Sequence, residues 1–232
     1  MKNKIYETMD AAVADIPDDV TILSPGFSGV GVPRNLIAAL NRQGAKGLTG
    51  VSNNAGNIDE NVDIGTLVES GQMKKMICAF TASTHPSQVT PFTRMYNNDE
   101  IEAELVPQGT LAERLRCAAA GIGGFYTPTS VGTELAEGKE HREFNGRMHV
   151  LELPLPGDYG LIRAWKADTA GNLVFRLTQR NFNPLMAMAA TVTIVEVEED
   201  IVKAGELDPD LIHVAGIYVD RMVRIPADGI WV

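Results

Sequence analysis

A glycine-rich turn is the segment of this 232-residue chain whose residue types and spacing best suit chemistry. A short apolar run leads from Ile22 into Pro25-Gly26-Phe27-Ser28-Gly29-Val30-Gly31, and a helix is expected to follow. Backbone N–H groups in such a strand-to-helix turn can face a phosphate or a carbonyl oxygen. The G-x-x-G-x-G spacing is neither the dinucleotide motif nor a P-loop. An anion-facing turn and a purely structural turn are therefore both open.

Small polar or glycine residues follow four of the predicted strands. In an open parallel sheet, ligands bind at the carboxyl ends of the strands, where such residues leave room and offer backbone amides. We therefore expect a shared cleft, with ordinary turns as the alternative. The four segments are Ser24 to Gly31, Ser52 to Gly56, Thr81 to Ser83 and Pro107 to Thr110.

Three amide side chains fall within these segments. Asn53 and Asn54 are interpreted either as an Asx turn or as a pair of hydrogen-bonding groups in the cleft. Gln108 lies between Pro107 and Gly109, which would hold it rigidly. A rigid neutral amide suits a carboxylate or a thioester carbonyl, and a solvent-facing turn glutamine is the alternative.

No convincing nucleophile or acid–base pair emerges from the residue types, so no catalytic residue is assigned to this chain. Cys117 follows two arginines, but no His or Asn pattern accompanies it. Glu143-Phe144-Asn145-Gly146 predicts a hairpin turn rather than a nucleophilic carboxylate, and Glu60-Asn61 is a second such pattern. The four histidines lack metal-ligand spacing, and no G-x-S-x-G element occurs. Neither a metal site nor a serine hydrolase is expected.

The composition is that of an ordinary globular protein, with 44% hydrophobic residues and a formal net charge of −10. The acidic balance argues against a nucleic-acid partner, which would need a basic face. No segment approaches the run of about 20 apolar residues that spans a membrane, and no apolar signal core begins the chain. Cys78 and Cys117 sit in apolar stretches, which fits reduced, buried thiols. We expect a cytoplasmic protein without a membrane partner.

Strands and helices alternate along the first half of the chain. This alternation predicts an α/β fold with an open, mostly parallel sheet and crossover helices. No linker divides the chain, so residues 1–232 are predicted to form a single domain. After Gly121 a long loop to Gly132 is expected, then a more strand- and loop-rich part with a loop-rich tail from Glu206. Predicted strands are 21–23, 48–52, 75–80, 101–106, 148–153, 160–164 and 191–197; predicted helices are 6–14, 35–43 (C-cap Gly44), 64–70, 93–96 and 110–120.

Seven segments form an ordered series of longer motifs: 26–33, 51–56, 106–114, 125–129, 163–168, 180–184 and 216–220. The series covers nearly the whole chain, from about Lys4 to Val223. It resembles the A (alpha) subunit of the family I 3-oxoacid CoA-transferases, and this implies the CoA-transferase fold.

The resemblance implies an enzyme subunit that moves CoA from an acyl-CoA, succinyl-CoA above all, to a 3-oxo acid such as acetoacetate or 3-oxoadipate. The implied route passes through an acyl-glutamyl anhydride and a glutamyl-CoA thioester. The family's catalytic glutamate lies in a Ser-Glu-Asn-Gly motif of the B (beta) subunit, and this chain has no such motif. The resemblance thus implies a beta-subunit partner in an A2B2 assembly, CoA thioester as substrate and no permanently bound cofactor.

The motifs also imply roles for particular residues. The glycine motif implies a CoA-binding loop whose N–H groups can stabilise an oxyanion. The Pro-Gln-Gly motif implies that Gln108 holds the substrate carboxylate, while the asparagine pair lines the cleft. The predicted site residues are Pro25, Gly26, Phe27, Ser28, Gly29, Val30 and Gly31 for the loop, and Asn53, Asn54, Gln108 and Gly109 for the substrate.

Three departures from the family pattern leave the acceptor acid open. Pro25 replaces the first glycine of Gly-Gly-Phe, Ser130 stands where a glycine is usual, and the segment Thr84 to Arg94 differs. An acyl-CoA hydrolase or lyase-like relative, or a non-catalytic CoA-binding protein of the same fold, is the alternative. A partner chain carrying Ser-Glu-Asn-Gly would favour the transferase.

Overall fold

A seven-stranded parallel sheet forms the centre of the fold, seen in a computed structural model that describes residues 3–56, 61–81 and 89–231. The strands are β1 Thr21–Leu23, β2 Leu48–Asn54, β3 Met73–Phe80, β4 Glu102–Leu105, β5 Phe125–Thr127, β6 His141–Phe144, β7 Arg147–Glu152, β8 Gly157–Ala164, β9 Lys166–Ala167, β10 Leu173–Val174, β11 Ala190–Val197 and β12 Arg221–Arg224. The α-helices are α1 Met9–Val13, α2 Arg34–Gln43, α3 Ile64–Glu69, α4 Pro91–Asn97, α5 Gln108–Ala120 and α6 Asn183–Ala189.

The sheet order is β12-β11-β8-β1-β2-β3-β4, and every neighbouring pair runs parallel. Parallel neighbours need crossover connections, so helices cover both faces. One buried cluster contains residues of α1, α2 and α3, and a second contains residues of α5 and α6. Ile22 belongs to the first and Leu23 to the second, because successive strand residues point to opposite faces. The predicted α/β fold is confirmed.

Local signals end several helices where the sequence predicts. Gly44 ends α2 with φ +88°, and its N–H donates to the Leu40 carbonyl. The Asp63 side chain accepts a hydrogen bond from Gly65 N at the start of α3, and Gly121 ends α5 with φ +67°. These caps satisfy backbone groups that the helix leaves unpaired. The predicted bounds of α2, α3 and α5 are confirmed to within two residues.

The region after Gly121 contains more regular structure than the sequence predicts. The expected loop to Gly132 includes β5, which pairs antiparallel with β7, and β7 also pairs with β6. Asn145 (φ +50°) and Gly146 (φ +75°) connect β6 to β7, which confirms the predicted hairpin turn. The expected loop-rich tail contains β12, which pairs with β11. These short strands escape prediction because distant partners, not local propensity, define them.

Candidate functional site

The carboxyl ends of the parallel strands bring three of the four predicted segments to one edge of the sheet. A small cavity touches both Pro25-Gly26, after β1, and Asn54 at the end of β2. Gln108, after β4, donates its Nε2 hydrogen to Oδ1 of Asn53, at a distance of 2.7 Å. The fourth segment, Thr81 to Ser83, lies outside the described residues beyond its first member.

Residues Phe27 to Val30 form a tight turn at this edge. Phe27 N donates to Val30 O at 3.1 Å, and Val30 N donates to Phe27 O at 3.0 Å. The central residues Ser28 and Gly29 have φ of +48° and +81°, as in a type I′ turn. Phe27 and Val30 are 47% and 43% exposed. The turn therefore presents two apolar side chains at the surface.

Two glycines of the loop are required by close packing as well as by backbone conformation. At Gly26 (φ +144°), a Cβ atom would lie 2.6 Å from Cγ2 of Val32. At Gly31 (φ +74°), it would lie 2.7 Å from the Gln179 carbonyl oxygen and 2.8 Å from Nδ2 of Asn181. The loop is thus pressed against the segment that precedes α6.

The loop, residues 26–32, is held by its carbonyl groups. The hydrogen bonds run from Asn181 Nδ2 to Val30 O at 3.0 Å, from Asn183 Nδ2 to Gly31 O at 2.9 Å and from Arg34 Nη2 to Gly29 O at 3.2 Å. Within the described ranges, the N–H groups of Ser28, Gly29, Gly31 and Val32 make no hydrogen bond. The loop therefore combines paired acceptors with unpaired donors, which is the polarity that an oxyanion or phosphate requires.

A cavity of about 440 Å³ adjoins the loop. The loop residues 28–32 form one wall, residues 176–179 form another, and Arg163, Glu198 and Trp231 complete the lining. This volume suits part of a small-molecule ligand. The sequence analysis does not predict the cavity, because its walls come from segments about 150 positions apart.

Glu196 of β11 is completely buried at the start of α2. Its Oε2 accepts hydrogen bonds from Asn35 N at 2.9 Å and Leu36 N at 3.0 Å, and Arg163 Nη1 lies 3.4 Å from its Oε1. Burial raises the pKa of the Glu196 carboxyl to about 7, although Arg163 and the helix N–H groups act in the opposite direction. A carboxyl group from the central sheet thus anchors the helix that follows the loop.

Arg163 links this anchor to the cavity. Its Nε donates to Glu198 Oε1 at 2.8 Å, and its Nη2 donates to the Trp231 carbonyl at 3.0 Å. Gln179 Nε2 donates to the same Glu198 oxygen at 2.7 Å. A continuous set of polar contacts therefore connects α2, the central sheet and the cavity wall.

The predicted substrate residues show both of the arrangements that the sequence leaves open. Asn53 is buried and accepts the hydrogen bond from Gln108, whereas Asn54 Oδ1 accepts from Gly56 N at 3.1 Å, which is an Asx turn. Gln108 and Gly109 are exposed and begin α5 instead of forming a turn, because the helix starts two residues earlier than predicted.

The candidate nucleophiles of the described chain lie in unsuitable places. Burial raises the pKa of the Cys78 thiol to about 11, and Cys117 is fully buried. Glu143 is exposed on β6. Glu60 and His85 lie outside the described residues. Over the described ranges, no group of three or more His, Cys, Asp or Glu residues is arranged to hold a metal, and no helix is long and apolar enough to cross a bilayer.

Asn181 and Asn183 are the site residues that sequence reasoning missed. Both occur in the motif at 180–184, which contributes to the family resemblance but receives no role from it. Their contacts span about 150 positions. An asparagine two residues from another one, before Pro184, is the only local signal for them.

Comparisons with known proteins agree with this geometry. A family profile described as coenzyme A transferase matches residues 6–224. The chain is 50% identical over 222 residues to the alpha subunit of succinyl-CoA:3-ketoacid coenzyme A transferase from Helicobacter pylori strain J99, covering 96% of this chain and 92% of that protein. It is 47% identical over 225 residues to the alpha subunit of 3-oxoadipate CoA-transferase from Pseudomonas putida, covering 97% and 95%.

A solved structure shows the same fold. The acyl-CoA transferase of E. coli O157:H7, crystallised as a thioester complex with CoA, superposes with a TM-score of 0.80 at 23% identity. The match covers 99% of this chain and 48% of that chain. The present chain therefore spans about half the length of that polypeptide.

Proposed function

The chain belongs to the coenzyme A transferase family, and from this we propose that it transfers CoA from succinyl-CoA to a 3-oxo acid of the acetoacetate or 3-oxoadipate class. It acts as the alpha subunit, a single domain that pairs with the beta subunit in an A2B2 assembly. The relatives from H. pylori and P. putida are both alpha subunits by name, and their names differ in the acid. CoA thioester is the substrate, and no cofactor is held permanently.

The polarity of the glycine loop is the observation that carries this proposal. A carboxylate oxygen of the beta-subunit glutamate attacks the acyl-CoA carbonyl, whose oxygen becomes an oxyanion. Collapse of this adduct expels the CoA thiolate and leaves an acyl-glutamyl anhydride. The unpaired N–H groups of the loop, donated by a rigid backbone, stabilise the oxyanion.

The later steps create the same charge again. The thiolate attacks the glutamyl carbonyl of the anhydride, the original acid leaves as its carboxylate, and a glutamyl-CoA thioester remains. The 3-oxo acid carboxylate then attacks this thioester, and the steps run in reverse. One loop that stabilises carbonyl oxyanions serves every step, which supports its placement beside a nucleophile from another chain.

The function is tested by co-expressing this chain with a beta subunit that carries Ser-Glu-Asn-Gly. The complex is incubated with succinyl-CoA and a panel of 3-oxo acids, and CoA-ester products are measured. Exchange with at least one acid is expected. A stable complex that exchanges CoA with none of them contradicts the proposal, and release of free CoA without an acceptor would identify a hydrolase.

Gln108 is the proposed anchor for the carboxylate of the acid substrate. Its side chain is oriented by Asn53 and lies at the first residue of α5, where the helix N-terminus favours an anion. Replacing it with alanine is expected to raise KM for the 3-oxo acid about 10- to 100-fold, because a hydrogen bond to a charged group is lost. KM for succinyl-CoA changes by the same factor only if succinate's free carboxylate uses this anchor too.

Steady-state kinetics with each substrate varied in turn measure this effect. Asn98→Ala is the matched control, since Asn98 is an exposed amide whose contact is to Glu100, after α4. We expect it to be kinetically silent. Unchanged acid kinetics in Gln108→Ala would remove Gln108 from the site.

An apolar rim, consisting of Phe27, Val30, Leu177 and Trp231, surrounds the cavity. Leu177 is 85% exposed and has φ +49°, a conformation that costs a residue with a Cβ atom about 1–2 kcal/mol. An exposed apolar side chain on a strained backbone is poorly explained by the isolated chain. We propose that the rim packs against the beta subunit, whose glutamate must reach the loop.

Leu177→Asp is expected to weaken beta-subunit binding at least about 30-fold, as for an interface anchor. Aspartate tolerates positive φ better than leucine, so the melting temperature of the isolated chain should not fall. Titration calorimetry measures the affinity. Leu211→Asp is the control, because Leu211 is 56% exposed and lies outside the rim; equal effects of both substitutions would contradict the assignment.

A further inference from the structure

Two asparagines hold the glycine loop by its carbonyl groups. Asn181 Nδ2 donates to Val30 O at 3.0 Å and also to a carbonyl of its own segment at 2.9 Å. Asn183 Nδ2 donates to Gly31 O at 2.9 Å and likewise to a carbonyl of its own segment at 2.8 Å. Each amide therefore fastens the loop to the turn that precedes α6.

The orientation of both amides is fixed. Asn183 is completely buried, and its Oδ1 accepts a hydrogen bond from Arg163 N on β8 at 2.9 Å. Rotating its amide by half a turn would place oxygen against two carbonyl oxygens and NH₂ against an N–H group. Asn181 Oδ1 accepts from Phe182 N at 2.6 Å. The clamp is therefore rigid, and through Asn183 it is continuous with the central sheet.

The planarity of the peptide bond converts this clamp into a direction for the donors. A trans peptide places its C=O and N–H on opposite sides. Holding the Val30 carbonyl turns the Gly31 N–H away from Asn181, and holding the Gly31 carbonyl turns the Val32 N–H away from Asn183. Both residues are buried, and among the described residues neither N–H finds an acceptor. Buried donors without partners are unfavourable unless a ligand oxygen completes them.

We propose that Asn181 and Asn183 are positioning residues, which aim the N–H groups of Gly31 and Val32 at the substrate oxyanion. The inference rests on the proposed transferase function for its catalytic part. The aim of the donors decides how much they stabilise the transition state, since stabilisation depends on fixed geometry.

Asn181→Ala is the first test, made in the complex with the beta subunit. We expect kcat for CoA transfer to fall about 10- to 100-fold, with KM for succinyl-CoA within about threefold of the wild-type value and an unchanged melting temperature. Asn172→Ala is the matched control. Asn172 is also half-buried and also holds a loop, through the Gly216 N–H at 2.9 Å, but a different one. It should retain wild-type kcat.

Asn183→Ala would leave three buried groups without partners, so Asn183→Asp is the second variant. It keeps the shape and the acceptor for Arg163 N but removes both N–H donors. We expect a loss of kcat at least as large as that of Asn181→Ala. If both variants assemble and their kcat lies within twofold of wild type, the inference is overturned.

Amide hydrogen exchange of residues 26–32 in the same complexes separates this inference from the proposed function. We expect exchange to be at least about tenfold faster in Asn181→Ala and Asn183→Asp than in wild type and Asn172→Ala, because the clamp is lost. Unchanged exchange would overturn the clamp. A wild-type complex that transfers no CoA while showing the expected exchange differences would contradict the transferase function and the catalytic part, but support the clamp.

Discussion

Replacing Gly31 by alanine is expected to lower kcat for CoA transfer by about 100-fold or more, the usual effect of losing one oxyanion donor. Gly31 has φ +74°, and a Cβ atom there would lie 2.7 Å from the Gln179 carbonyl oxygen and 2.8 Å from the clamp amides of Asn181 and Asn183. The loop must move to relieve these contacts. Its N–H groups then lose their direction, and kcat at saturating substrates, measured on the complex with the beta subunit, reports the loss.

Gly71→Ala is the matched control for this experiment. Gly71 has φ +70°, almost the same as Gly31, but nothing lies within 4 Å of a Cβ atom placed there. Its substitution introduces the backbone strain of about 1–2 kcal/mol alone. We expect a melting temperature lower by a few degrees and full activity. If Gly31→Ala and Gly71→Ala were equally active, the close packing of the loop would have no catalytic consequence.

The second large effect is expected from Arg163→Met. Arg163 is 6% exposed, and its guanidinium lies 3.4 Å from Glu196 and 2.8 Å from Glu198. Removing one partner of a buried ion pair leaves the other charge uncompensated, which typically costs about 3–5 kcal/mol. We expect a loss of this size in the free energy of unfolding at pH 8, measured by urea denaturation.

Arg116→Met is the control for this substitution. The Arg116 side chain is 49% exposed and pairs with Glu113 at 2.9 Å, and exposed pairs of this kind contribute less than about 1 kcal/mol. A comparable loss of stability in the two variants would mean that the burial of the Arg163 pair has no energetic importance.

The effect of Arg163→Met should also depend on pH. In the folded chain, burial raises the pKa of Glu196 from its ordinary 4.5 to about 7. Because this pKa is raised, the contribution of Glu196 to stability is fully present below about pH 4.5 and is lost as the pH rises through 7. Arg163 lowers this pKa, so its removal raises the pKa further, and the destabilisation should grow between about pH 5 and pH 8.

The double substitution Arg163→Met with Glu196→Gln removes the titrating carboxyl. It should therefore lose most of the additional pH dependence that Arg163→Met introduces over this range. An equally steep dependence in the double variant would show that another group, not Glu196, is responsible.

Several parts of the site were predictable because their signals are local. The strand β1 and the C-cap at Gly44 follow from a short apolar run and from the left-handed conformation that glycine adopts readily. The glycine turn follows from residue types within seven positions. Asn53 and Gln108 were named because each lies next to a predicted strand end, and the parallel sheet brings the two together.

Other parts depend on long-range pairing. The insertion of β8 between β1 and β11, and the addition of β12 beside β11, follow from the order of strands in the sheet. Local propensity carries no information about that order, since the same short strands would be equally compatible with other partners. The cavity beside the loop has the same origin.

The residue order alone thus establishes the alternating α/β elements, the glycine turn, the family resemblance and the lack of a Ser-Glu-Asn-Gly motif, because each is a property of neighbouring residues. The folded chain adds what turns that loop into a site. Asn181 and Asn183 reach carbonyl groups 151 and 152 positions away, and Arg163 compensates Glu196 across two adjacent strands. Such contacts arise when the sheet assembles, so they belong to the tertiary structure and not to any local pattern.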